Sequence, residues 1–301
     1  MKQRTAALSV ASNSTLILLK VIAGVLTGSV AILTEAVHSS VDLIASLVAF
    51  LSLREAGKPA DESHRYGHEK IENLAAAIEG LLVLVGSAAI AVAAIRRLIV
   101  GGSTHTVGLG LAVIGFSAVV NLAISRVIAR RGKLTDSPAL QGDALHLLTD
   151  SLSSIVVFAA LLLVDLTGAE WIDPVAALAV ACVIVVTGVR LIVRSGEVLV
   201  DQALPVEEVG VITAAIESFS GRGVIGYHEL RTRRAGSQRY VDVHLQFRAG
   251  TTLEDAHLIA HELQDAIIAG LGGADVLIHL EPEGRLRPGQ PLLSSQKVDG
   301  G

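Results

Sequence analysis

The chain has 301 residues, 51% of them hydrophobic and 18% charged, with a formal net charge of −5 at pH 7. A mean hydropathy of +0.59 is too high for an ordinary soluble protein, and the modest negative charge gives no reason to expect a nucleic-acid partner. The single cysteine, Cys182, excludes an intrachain disulfide, and the first apolar segment runs too long for a cleavable signal peptide.

Six apolar segments follow one another, each near or above the ~20 residues that cross ~30 Å of hydrocarbon. They are Ala6–Thr27, Val30–Leu53, Leu74–Ile99, Val107–Ala129, Leu140–Leu166 and Ile172–Val193. Only Gly28-Ser29 links the first two, which predicts a tight helical hairpin, and Pro138 suits the start of the fifth. Basic residues fix the orientation. Lys2 and Arg4 precede the first segment, and Arg54, Lys58, Arg65 and Lys70 fill the second connection. Arg126, Arg130, Arg131 and Lys133 lie in or near the fourth, and Arg190 and Arg194 end the sixth. Both termini are therefore expected in the cytoplasm of a prokaryotic inner membrane. Arg96 and Arg97 oppose the pattern but can snorkel to the headgroups.

Two of these apolar segments carry the same polar pair. Glu35-x-x-His38-x-x-x-Asp42-x-x-x-Ser46 parallels Asp143-x-x-His146-x-x-x-Asp150-x-x-x-Ser154. A four-residue step on a helix puts His and Asp on one face, and ionisable groups inside a bilayer are costly enough to imply function. The topology makes the two segments antiparallel. The first pair is centred ten residues from Val30 and the second ten from Pro138, so both lie ~15 Å deep, near the bilayer's middle. Either pair alone reads equally well as a helix–helix hydrogen bond. Two matched pairs at one depth point to metal or proton traffic through His38, Asp42, His146 and Asp150. Two nitrogens and two oxygens suit tetrahedral Zn²⁺, and do not exclude Co²⁺, Fe²⁺, Mn²⁺ or Ni²⁺.

The connection after the second segment holds Asp61-x-x-His64-x-x-x-His68, whose spacing permits a further small metal site. Beyond Asp201 the composition becomes that of a soluble domain. Patterning predicts a helix at Val206–Phe219 and strands at Val224–Arg233 and Arg239–Phe247. A helix at Leu253–Ala269 and a strand at Asp275–Glu281 follow. Alternation puts Val241, Val243, Leu245 and Phe247 on one face of the second strand and Asp242, His244 and Gln246 on the other. His228, His244, His257, His261 and His279 give this domain half of the chain's ten histidines, which points to a metal cluster.

These motifs resemble those of the cation diffusion facilitators. The resemblance rests on Thr34-Glu-Ala-Val-His38-Ser-Ser-Val-Asp42, His64-Arg-Tyr-Gly-His68-Glu-Lys70 and Gly142-Asp-Ala-Leu-His146-Leu-Leu-Thr-Asp150. Tyr227-His228-Glu, Val241-Asp-Val-His244 and Val276-Leu-Ile-His279-Leu-Glu281-Pro282 extend it, so that it covers residues 6 to 283. The resemblance implies an α-helical membrane protein of six transmembrane helices with a C-terminal cytoplasmic αββαβ, metallochaperone-like domain. It implies domains at 1–203 and 204–284, with 285–301 read from composition as a disordered tail. It also implies a homodimer, not an enzyme, that exports a divalent metal in exchange for protons. His38, Asp42, His146 and Asp150 match the family's transport site, and Asp61, His64 and His68 its loop site. His228, His244, His257 and His279 match its cytoplasmic binuclear site, where Glu281 stands in place of the family's common Asp. Lys70 and Asp201 match an intersubunit salt bridge. His at position 38, where some members have Asp, resembles the zinc-preferring type, so Zn²⁺ is expected as both cargo and regulator.

A membrane zinc hydrolase lacks support, because His257-Leu-Ile-Ala-His261 has no intervening Glu and no Gly-x-Ser-x-Gly elbow occurs. A non-transporting metal sensor is the other alternative. Asn13, Lys20, Glu79 and Asn121 read as interhelical hydrogen bonds or snorkelling groups, and His105 has no assigned role.

Overall fold

In hydrocarbon every backbone N–H and C=O must be satisfied within its own segment, so long apolar runs become helices. A computed structural model of the protein describes residues 2–27, 30–100, 108–169 and 171–283. The Gly28-Ser29 link, His105 and the 285–301 tail fall outside the described residues, as do the side chains of Glu35, His38, Asp42 and Ser154. The chain divides into two compact units, residues 1–199 and 200–301.

The first unit contains α1 (Lys2–Thr27), α2 (Val30–Ala56), α3 (Lys70–Val100), α4 (Gly108–Leu134), α5 (Pro138–Thr167) and α6 (Ile172–Leu199). Several helices outrun their apolar segments at the basic end, α2 through Arg54 and α4 through Arg131 and Lys133. Ala, Arg, Glu and Lys are strong helix formers, so the helix continues where hydropathy stops. Among the described residues, Lys2–Ile22, Lys70–Val100 and Pro174–Leu199 are long and apolar enough to cross a membrane by length and composition. The outer faces carry exposed Leu18, Val25, Leu81, Val85, Val119 and Val183, as lipid contact requires. Small residues let the helices approach closely. A Cβ at Gly80 of α3 would lie 2.8 Å from Ile192 Cγ1 and 3.2 Å from the Gly188 carbonyl of α6.

The second unit runs α7 (Val206–Ser218), a 3₁₀ turn, β1 (Val224–Ala235), β2 (Gln238–Phe247), α8 (Leu253–Leu271) and β3 (Asp275–Pro282). The strands lie in the order β1-β2-β3, β1 antiparallel and β2 parallel to its neighbour. A parallel pair needs a crossover, which α8 supplies. Thr252 caps α8 by accepting the Asp255 N–H at 3.1 Å, and Gly272 ends it at φ +70°. The core joins Ile212 and Ile216 of α7, Val241, Val243 and Leu245 of β2, and Leu263 and Ile267 of α8. That leaves the polar face of β2 turned away from the helices, which is where His244 lies.

Candidate metal sites

Strand register builds the site in the second unit. His228 of β1 pairs across to His244 of β2, and His244 pairs across to His279 of β3, so three histidines form one row over the sheet. The His228 and His244 ring centroids are 4.9 Å apart, and those of His244 and His279 4.6 Å. Glu281, two residues beyond His279, reaches back under the row. One carboxylate oxygen lies 2.8 Å from His228 Nε2 and the other 3.1 Å from His244 Nδ1. Ligand atoms of His228, His244 and Glu281 all fall within 4.8 Å of one another. Tetrahedral Zn²⁺ with bonds of ~2.05 Å separates its ligands by ~3.3 Å, a spacing on the scale of these contacts. The hydrogen bond with His228, helped by that with His244, holds the Glu281 carboxyl below its usual range against the opposing effect of burial. Two nitrogens and an ionised oxygen suit zinc.

His279 stands beside this triad, exposed, with Nε2 3.8 Å from Glu281. His257 pairs instead with His261 on the exposed side of α8, ring centroids 4.4 Å apart, and is not among the atoms that converge on Glu281. A further carboxylate joins that the strand pattern did not signal. The β1 register slips between His228 and Arg231, and Glu229 takes a φ of +48°. This bulge re-aims Glu229, whose Oε2 comes within 3.7 Å of His244 Nε2. A left-handed non-glycine residue costs of order 1 kcal/mol, which fits a position shaped for a site.

The loop cluster is organised by Asp61. Its Oδ1 accepts the backbone N–H groups of His64 at 2.7 Å and Ser63 at 2.9 Å, as well as the Ser63 hydroxyl. These bonds, the His64 N–H first, lower its pKa to about 2. His64 Nδ1 lies 3.4 Å from Oδ1 and His68 Nε2 3.3 Å from Oδ2. Both separations match the ~3.3 Å tetrahedral edge. Nδ1 of His68 is buried and has no partner among the described residues.

In the first unit, His146 is buried on α5, its Nε2 3.6 Å from Asp150 Oδ2 one turn away. On the facing helix, residues 38 and 42 are likewise one turn apart in α2. A buried hydrogen bond sets the relation between the two helices. Ser46 Oγ of α2 donates to Asp143 Oδ1 of α5 at 3.0 Å, and Ser9 of α1 donates to the same oxygen at 3.0 Å. Asn13 donates to Ser46 at 2.7 Å. Further along α2, Leu53 shares a core with Ala139 and Leu140 at the start of α5, so the helices run antiparallel. From the Ser46–Asp143 contact the midpoint of 38 and 42 lies six residues away, ~9 Å, and that of 146 and 150 five residues, ~7.5 Å. Along the bundle the two pairs are level to within ~1.5 Å.

Asn13 and Lys20 make interhelical bonds, Lys20 donating to Ser39 at 2.6 Å. Glu79 departs from the expectation. It is fully buried, and neither oxygen has a hydrogen-bond partner among the described residues. Gly142 leaves room for it against α5, where a Cβ would fall 2.0 Å from its Oε2. Lys70 Nζ donates to the Leu199 carbonyl at 3.3 Å, and Asp201 pairs with Arg233 at 3.4 Å.

Residues 6–200 match the cation efflux transmembrane domain, and residues 204–283 match the cytoplasmic domain of cation efflux proteins. An uncharacterised transporter of Synechocystis sp. is 34% identical over 264 residues, 88% of this chain and 85% of that protein. The cation-efflux pump FieF of Klebsiella pneumoniae is 33% identical over 287 residues, 93% and 92% of the two chains. A solved structure of CzrB in its Zn form is 39% identical, covering 29% of this chain and 98% of that one with a TM-score of 0.27. The chain belongs to the cation efflux family of membrane transporters, the cation diffusion facilitators.

Proposed function

We propose that this protein exports Zn²⁺ from the cytoplasm in exchange for protons, by alternating access of a homodimer around a site formed by His38, Asp42, His146 and Asp150. The observation that carries the reading is the Ser46–Asp143 bond, which supports bringing the two His-x-x-x-Asp pairs to one level. The chain crosses the inner membrane six times with both termini in the cytoplasm, as the basic residues direct. Two carboxylates neutralise the dication while two imidazoles supply nitrogen ligands. Imidazole ordinarily titrates near neutral pH, so protons compete with the metal at that site and help release it. His38 and His146 carry those protons, and Asp42 and Asp150 stay ionised.

The loop residues Asp61, His64 and His68 hold a second zinc. His228, His244 and Glu281, with His279 beside them, form the regulatory site that stabilises the dimer when cytoplasmic zinc is high, and His257, which the resemblance adds to that site, pairs with His261 on α8. The test is a metal panel in proteoliposomes, on the wild type and His38→Asp, with and without an imposed pH gradient. Zinc uptake should lead the wild-type panel and respond to the gradient. His38→Asp should admit Cd²⁺ or Mn²⁺. A wild-type preference for Fe²⁺, Mn²⁺, Co²⁺, Ni²⁺ or Cd²⁺, or indifference to pH, overturns the corresponding part. Stopped transport in His38→Ala, with metal binding to the soluble unit intact, argues against a pure sensor.

A further inference from the structure

A groove of about 310 Å³ opens between the basic ends of α4 and α6 and the start of α5. Lys133 of α4 and Arg190 and Arg194 of α6 line it, over a floor that includes Leu145, Leu148 and Leu191. Among the described residues no carboxylate lines it, and none of the three cations has a hydrogen bond or ion pair there. Arg190 and Arg194 are one helical turn apart, so they present like charges on one face, an arrangement that is unfavourable without an anion between them. Three positive charges repel a divalent cation, so the groove is no entrance for the metal. An apolar floor is of no use to a free inorganic anion.

Charge and floor together fit one kind of occupant. We infer that this groove binds an anionic phospholipid, its phosphate held by Lys133, Arg190 and Arg194 and the upper part of an acyl chain against the leucines. Basic pockets between membrane helices on the cytoplasmic side take such headgroups, and the basic ends of α4 and α6 belong to that side. The lipid bridges α4 to α6 beside α5, the helix that carries His146 and Asp150. It is a ligand separate from the transported metal.

The test uses the full chain in detergent, without metal, and reads lipid binding by native mass spectrometry. Phosphatidylglycerol is compared with phosphatidylcholine of the same chains. The wild type should prefer phosphatidylglycerol. Each cation removed should weaken that preference about fivefold, so Arg190→Gln/Arg194→Gln should lower it roughly 25-fold. Arg190→Lys/Arg194→Lys, which keeps the charge, should retain most of it, and Arg126→Gln, a control on α4 outside the groove, all of it. Unchanged preference in the double Gln variant overturns the proposal. So does displacement of phosphatidylglycerol by millimolar glycerol phosphate or inorganic phosphate, which lack the acyl chain. Should the double Gln variant fail to fold, the Lys variant and Lys133→Gln decide the matter, the first by keeping the preference and the second by weakening it. Metal transport is absent from the assay, so its outcome is independent of the zinc assignment.

Discussion

Glu281→Gln tests the soluble-unit site most sharply, because that side chain bridges both histidines of the triad at 2.8 and 3.1 Å. The substitution keeps the shape and removes the anionic oxygen. Losing an outer partner of a metal ligand already costs 10–100-fold in affinity, so losing a direct ligand should cost at least about 100-fold, or about 2.7 kcal/mol. In an Asp61→Ala/Asp150→Ala background, the remaining zinc-binding class belongs to this site, and a competing chelator measures it. The pH dependence gives a second readout. Glu281 is held below its usual value of 4.5, chiefly by its bond with His228, so it is ionised throughout pH 5.5–7 with or without metal. The protons that zinc displaces in that range come from imidazoles. Glu281→Gln should therefore lower the affinity curve without changing its slope against pH. A loss under tenfold means that Glu281 is not a ligand. A slope that changes by about one proton means that its carboxyl titrates in the window, and the electrostatic reasoning fails. In the metal-free protein the sign is also fixed. A carboxyl depressed by folding contributes stability that is present above its unfolded value and disappears as pH falls through the lower folded one.

Asp61 should stay ionised down to about pH 2, as a carbon-13 NMR titration of its carboxyl would record, because the loop's own N–H groups bind the charged form. Asp61→Asn keeps an oxygen for those N–H groups while Asp61→Ala does not. Both should lose metal at the loop, but only the Ala variant should make residues 61–68 more open to protease. Gly142→Ala forces a methyl to within 2.0 Å of Glu79 Oε2, and Glu79 has no solvent to move into. It should destabilise the detergent-purified protein by about 1–3 kcal/mol in thermal unfolding. Glu79→Ala should relieve that cost in the double variant, and strict additivity would disprove the contact.

Most of the architecture was legible because hydropathy and alternation act locally. The apolar runs gave the cores of α1 to α6, missing only the charged turns that helix propensity adds at their ends. The period-two pattern of β2 put Val241, Val243 and Leu245 in the core and His244 outside it. Spacing alone singled out the His146/Asp150 pair and the Asp61/His64/His68 cluster. The rest depends on which segments meet. Nothing local says that His228, His244 and His279 share one row, since that is a matter of strand register, or that a bulge turns Glu229 toward it. Nor does spacing reveal that Ser46 and Asp143 bond across α2 and α5, that Glu79 lies buried against Gly142, or that cations from α4 and α6 line one groove. Sequence by itself determined which segments become helices and strands and which residues share one face of them, because hydropathy, alternation and helical pitch are properties of a single segment. Only the tertiary structure decided which of them converge, because register and helix contact are relations between segments far apart in the chain.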